Sequence, residues 1–133
     1  DRVKRILTLW LCALLIVGSL IVPTGASASV TYTYISGLDV GFGIAGSTAS
    51  CYGGVSSYTQ YDLSLRVTLM RWTGSMWVTV QYWTDSGSFD VSLVENYTLT
   101  ISGSYKVVVL GKVLDGDGTV LESASKTSTT RTY

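Results

Sequence analysis

Carboxylates are the side chains of this sequence with the widest choice of chemistry, because the chain contains no histidine. Without histidine, Ser-His and Cys-His catalysis are excluded, and the commonest general base and metal ligand is missing. Two carboxylates across a glycosidic bond can hydrolyse it. The candidates lie mostly in turns or at outward strand positions, where solvated charges are usual: Asp39, Asp62, Asp85, Asp90, Glu95 and Glu122. We therefore predict no catalytic residues and no enzyme activity.

A second acidic pattern, at Asp115, Asp117 and Thr119, resembles the start of a calcium-binding loop. Such a loop needs glycine at its sixth position and glutamate at its twelfth, where this chain has Val120 and Lys126. The glycines between the aspartates favour a hairpin turn instead. We predict that turn, no metal site and no cofactor.

Residues 63–83 show the clearest alternation, LSLRVTLMRW-TGSM-WVTVQYW. The pattern predicts two antiparallel strands joined by a four-residue loop, with Trp72 opposite Trp77. An unbroken register then places Arg66 opposite Trp83 and turns Val80 and Tyr82 inward with the leucines. The residues predicted to face outward, with Arg66 over the Trp83 ring, are the candidate ligand-binding residues: Trp72, Trp77, Trp83 and Arg66.

Cys51 is the only cysteine after residue 28. An unpaired cysteine in an exported domain is either a buried, inert thiol or a partner in an interchain disulfide. We favour the buried thiol, a structural role, because Cys51 alternates with Ala49 on one face of a predicted strand.

The first 28 residues are typical of a secretory signal peptide. Basic residues at 2–5 precede an apolar stretch at 6–22, and Ala26 and Ala28 form a cleavage site. We expect a helical signal peptide over 1–28 and a secreted domain over 29–133, without membrane contact after cleavage. A retained anchor is the alternative, because the apolar stretch is at the lower limit for spanning a bilayer.

Charge argues against nucleic acid as a partner. Residues 29–133 keep six basic and eight acidic residues, a net charge of −2. No basic run is present to neutralise phosphates.

The rest of the chain alternates as short strands, with turn residues every 8 to 12 positions and no helical period. The predicted strands are 29–35, 38–45, 48–52, 63–72, 77–83, 89–94, 97–101, 105–114 and 119–128, the segment 89–101 being one strand if the chain continues through 95–96. We expect Gly53-Gly54 to end or bulge a strand, 85–88 to form a turn, and the tail 127–133 to fray. The fold class predicted is all-β, an antiparallel immunoglobulin-like sandwich of seven to eight strands.

The segment Gly103-Ser104-Tyr105, leading into Val107 and Val109, resembles the corner of an immunoglobulin-like or fibronectin type III domain, where a tyrosine opens the sixth strand. That resemblance implies a structural role for Tyr105.

A wider pattern is similar to a family of small proteins of unknown function exported by Gram-positive bacteria. It comprises Cys51, Leu69-x-Arg71, Gly74-Ser75-x-Trp77, Trp83, Gly103-x-Tyr105-Lys106-Val107 and Glu122. The resemblance implies no activity, and Ser104 stands where that pattern has tyrosine.

Together these features predict a secreted, non-catalytic binding or structural module at the cell envelope, with a glycan or a protein at the cell surface as its partner. The alternative is a carbohydrate-binding module that uses the outward tryptophans.

Overall fold

The structure, a computed structural model, describes residues 31–133, and these residues form eight β-strands. The strands are β1 (Ile35–Ala45), β2 (Thr48–Ser57), β3 (Asp62–Trp72), β4 (Trp77–Ser88), β5 (Asp90–Thr98), β6 (Ser104–Leu114), β7 (Val120–Thr127) and β8 (Arg131–Thr132). The predicted signal peptide over 1–28 and its cleavage site lie outside the described residues.

All strand pairs are antiparallel, and they form two sheets. One sheet has the order β1-β2-β5; the other has the order β4-β3-β6-β7, with β8 beside the start of β6. This is the arrangement of an immunoglobulin-like sandwich in which the fourth strand has joined the sheet of the third, sixth and seventh. The predicted fold class is confirmed.

The two sheets meet most closely at two glycines. A Cβ built on Gly53 of β2 would lie 2.5 Å from Cγ2 of Val67, and one on Gly111 of β6 would lie 2.8 Å from Cγ2 of Val55. Valine side chains of one sheet therefore occupy the space that a side chain of the other would need. The prediction that Gly53-Gly54 ends or bulges a strand is wrong, because both glycines lie inside β2.

Alternate residues of each strand fill the space between the sheets. The members that are at most 1% exposed are Ile35, Ala49, Cys51, Val55, Leu63, Leu65, Val67, Leu69, Val107, Val109 and Val113. The side chains between them in sequence point away from this core, so each sheet has one buried face and one outer face.

The connection between β4 and β5 differs from the predicted turn at 85–88. Those residues continue β4 in register with β3, and the single residue Phe89 carries the chain to the other sheet. Phe89 has a positive φ of 70°. Its N–H donates to the Tyr61 carbonyl at 3.2 Å, and its carbonyl accepts from the Ser57 N–H at 2.9 Å. These two bonds hold a conformation that costs a non-glycine residue about 1 to 3 kcal/mol.

Residues 31–34 precede β1 and are not a strand, which corrects the strand predicted for 29–35. Thr33 and Tyr34 are held instead by Glu122 of β7, which also contacts the first residue of β1. The carboxylate accepts three consecutive backbone N–H groups, from Thr33 at 2.8 Å, Tyr34 at 2.9 Å and Ile35 at 2.8 Å. Burial raises the pKa of Glu122, but the three donors outweigh that effect and hold the pKa below its ordinary value.

The tail also departs from the prediction that it frays. Arg131 and Thr132 pair with Tyr105 and Ser104 as β8. Beyond them the Tyr133 N–H donates to the Gly103 carbonyl, and the Gly103 N–H donates to the Tyr133 carbonyl, both at 2.9 Å. The C-terminal residues thus extend the larger sheet at the base of β6.

Tyr105 lies at the corner that the sequence resemblance indicated. It is 2% exposed, and its hydroxyl donates to the carbonyl of Ile101, four residues upstream. Burial is the main cause that raises the pKa of its phenol. The ring and the hydroxyl together fix the entry of the chain into β6.

We predict that Tyr105→Ala lowers the free energy of unfolding by about 3 to 5 kcal/mol and Tyr105→Phe by about 1 to 2 kcal/mol, because the first removes a core ring and the second only a hydrogen bond. Urea unfolding of both variants measures the two contributions. A wild-type midpoint for Tyr105→Ala would contradict the corner role.

We predict that Glu122→Gln lowers stability at pH 7 by about 1 kcal/mol, since a neutral amide accepts the three N–H groups less strongly. The folded-state pKa is depressed, so the carboxylate's contribution is complete above the ordinary glutamate pKa of about 4.3 and is lost as the pH falls through the lower folded value. Wild type should therefore converge on Glu122→Gln in urea midpoint at low pH. Glu95→Gln is the matched control and should follow wild type. An equal loss of stability in both variants would contradict the stabilising role of the three N–H bonds to Glu122.

Candidate functional site

The hairpin of β3 and β4 has the predicted register next to its loop. Trp72 pairs with Trp77, Arg71 with Val78 and Met70 with Thr79. The indole centroids of Trp72 and Trp77 are 5.5 Å apart, with ring planes inclined by 56°. The predicted cross-strand tryptophan pair is therefore present.

Beyond Thr79 the predicted register is wrong by one residue. A β-bulge at Val80 shifts the pairing, so that Leu69 faces Gln81, Thr68 faces Tyr82 and Val67 faces Trp83. Because strand side chains alternate, this shift exchanges the faces of Tyr82 and Trp83.

Trp83 consequently leaves the predicted site. It packs against the buried core, as does Val80, and only Trp72, Trp77 and Arg66 of the four candidate residues share the outer side. Tyr82 takes the outward position and is 51% exposed. The cation that was predicted to cover Trp83 covers Tyr82 instead, with the Arg66 guanidinium carbon 4.3 Å from the Tyr82 ring centroid.

A second cation lies over the other end of the hairpin. The Lys106 ammonium of β6 is 4.2 Å from a ring centroid of Trp77. Both contacts are of the cation–π type and are worth about 0.5 to 1 kcal/mol at exposed sites. They also place positive charge on ring faces that would otherwise stack on a ligand.

We use the name outer face for the outward-pointing residues of the β4-β3-β6-β7 sheet. Besides Trp72, Trp77, Tyr82 and the cations, this face carries many hydroxyl groups. They belong to Ser64, Thr68, Thr79, Thr84, Ser86, Ser123, Ser125 and Thr127, which the strand registers place on the same side as Arg66. The outer face is thus a surface of aromatic rings, cations and hydroxyls, with the aliphatic side chains of Met70, Val108 and Leu110 among them.

A shallow hollow of about 260 Å³ lies within the outer face. The described residues that line it are Ser64, Arg66, Thr84, Leu110 and Lys112. Two are cationic, two carry hydroxyls and none is acidic. Sequence reasoning identified only Arg66 among them; the alternation of 105–114 contains the signal for Lys112, but its position beside Ser64 depends on the pairing of β3 with β6.

The remaining candidate groups are dispersed or engaged. Cys51 is buried, as the alternation predicted, and burial raises the pKa of its thiol to about 12, which makes it a poor nucleophile. Asp90 accepts a hydrogen bond from Ser56, and Asp115 accepts from the N–H groups of Asp117 and Thr119 in the hairpin turn. Within residues 31–133 no three potential metal ligands cluster.

Comparison with known proteins identifies no family. Neither a protein-family model nor a curated protein matches the sequence. Among solved structures, the chain is similar to an endonuclease/exonuclease/phosphatase from Beutenbergia cavernae, with 18% identity and a TM-score of 0.30. The match covers 71% of this chain and 27% of that one, so the chain spans about a quarter of that structure's length. A likeness this weak carries no argument about function.

The described part of the chain also has no helix with the length and hydrophobicity needed to cross a bilayer.

We predict that Trp83→Ala lowers the free energy of unfolding by about 2 to 3 kcal/mol, whereas Trp72→Ala costs less than about 1 kcal/mol. The reason is that Trp83 packs on the core while Trp72 is 39% exposed. Equilibrium unfolding of the two variants provides the comparison. An equal loss of unfolding free energy in the two variants, or a larger loss for Trp72→Ala, would contradict the bulge and support the register without it.

Proposed function

We propose that this protein is an exported, non-catalytic binding module that holds a glycan at the cell envelope with its outer face. The observation that carries the proposal is the exposure of aromatic rings on a flat sheet. Trp72 is 39% and Tyr82 51% exposed, side by side with cations and hydroxyls. Tryptophan and tyrosine are enriched at binding interfaces, because each side chain combines a large apolar ring with a polar group.

The surface chemistry favours a glycan among possible partners. Sugars offer hydroxyls that pair with the serines and threonines of the outer face, and apolar ring faces that pack on indoles. A flat surface suits an extended chain better than a small molecule, since small-molecule sites are concave and mostly apolar. Export rests on the signal peptide predicted for residues 1–28.

Stacking by itself is not the main contact. The rings of Trp72 and Trp77 are inclined by 56°, so they do not form one plane under consecutive sugars. Lys106 covers Trp77 and Arg66 covers Tyr82. Trp72 is therefore the ring from which the largest stacking contribution is expected.

Binding of the protein, as recovered from expressing cells, to a panel of polysaccharides tests the proposal. Trp72→Ser should weaken binding about two- to tenfold, because an aromatic contact is worth about 0.5 to 1.5 kcal/mol. Tyr58→Ser is the matched control, since Tyr58 is 64% exposed but lies in the loop after β2. Absence of binding to every polysaccharide, or equal loss in both variants, would overturn the proposal.

A further inference from the structure

Positive charge is concentrated on the outer face. Arg66, Lys106 and Lys112 point outward there, while Asp62 lies at its end opposite Ser88, whose hydroxyl donates to the Asp62 carboxylate at 3.4 Å. The domain as a whole has a net charge of −2. A basic strip on an otherwise acidic domain creates a local field that favours anions at this face.

The hollow gives this charge a defined geometry. In the sheet, Arg66 lies opposite Leu110, and Ser64 lies opposite Lys112. Arg66 and Lys112 are therefore diagonal neighbours about 7 to 8 Å apart, a separation that both long side chains can bridge to one oxyanion. Ser64 lies two residues from Arg66 along β3, Thr84 lies opposite Arg66 on β4, and both hydroxyls can donate to the same group. A space of about 260 Å³ is sufficient for the acidic group of one sugar residue.

A second cationic point lies further along the strip. Lys106 is opposite Met70, four residues along β3 from Arg66, which corresponds to about 13 Å. The row between the two points consists of the Tyr82 ring, the half-buried Thr68 and Val108, and the exposed Thr127. The outer face thus offers charged contacts at intervals along a line, with sugar-compatible groups between them.

The next inference rests on the proposed function. We propose that the glycan is an acidic polysaccharide and that one of its carboxylate or sulfate groups binds in the hollow between Arg66 and Lys112. Arg66 forms a forked pair with the oxyanion, and Lys112 supplies a point charge from the neighbouring strand. Three cations on an acidic domain are too few for the many phosphate contacts that nucleic-acid binding requires.

The test compares polygalacturonate, which carries carboxylates, and dextran sulfate with neutral dextran. Arg66→Gln and Lys112→Gln should each weaken binding to an acidic polymer about tenfold and leave Trp72-dependent contacts in place. The charge-matched controls are Arg131→Gln, in β8, and Lys126→Gln, whose ammonium contacts the Leu38 carbonyl; both should change binding less than twofold. The wild-type protein should also lose affinity with added salt, a readout that needs no variant.

The outcomes separate the two proposals. If neutral dextran and both acidic polymers bind equally and Trp72→Ser abolishes this binding, the proposal of an acidic ligand is wrong. The proposed glycan-binding function would still hold. If single-stranded DNA or polyphosphate binds more tightly than the acidic polysaccharides, with the same dependence on Arg66 and Lys112, the proposal that the ligand is a polysaccharide is wrong. A loss of binding in the control variants equal to that in Arg66→Gln would overturn the proposed site, because it would show that net charge and not the hollow determines binding. A preference between polygalacturonate and dextran sulfate identifies the acidic group.

Discussion

The close contact of the two sheets at Gly53 and Gly111 is the constraint on which the rest of the structure depends. Valines enter the space above each glycine, so these residues must face inward and their sequence neighbours must face out. The same alternation that buries Val67 and Val109 therefore turns Arg66 and Lys112 outward. The hollow on the outer face is a consequence of the packing on the inner one.

The bulge at Val80 changes this pattern in one strand. It places Trp83 in contact with the core, where Val67 lies opposite, and it gives the outer face Tyr82, over which Arg66 lies. Without the extra residue, Tyr82 would be buried and Trp83 exposed. Since β4 is also an edge strand, the bulge interrupts the edge that another chain could otherwise pair with. One inserted residue thus determines which aromatic rings a partner meets.

Sequence reasoning succeeded where the alternation is unbroken and failed where a bulge or a contact with a distant residue determines the structure. The pair Trp72 and Trp77 followed from a four-residue loop, and the burial of Cys51 followed from its alternation with Ala49. The bulge was not visible, because the adjacent aromatics Tyr82 and Trp83 satisfy either register equally well. Glu122 could not be assigned its role, since its three N–H donors lie 87 to 89 residues away. Gly53 was predicted to end or bulge a strand, because the sequence does not show that a valine of the opposite sheet occupies the space of its missing side chain.

Hydroxyl-radical footprinting of the protein with and without polygalacturonate or dextran sulfate tests the central claim, that the bulged register creates an outer face to which an acidic glycan binds. We expect rapid modification of Trp72 and Tyr82 and slower modification of Trp83 in the free protein, because the first two are exposed and the third packs on the core. An acidic polymer should then protect Trp72 and Tyr82 and leave Tyr58 unchanged. Rapid modification of Trp83, or protection of Tyr58 without protection of Tyr82, would contradict the account.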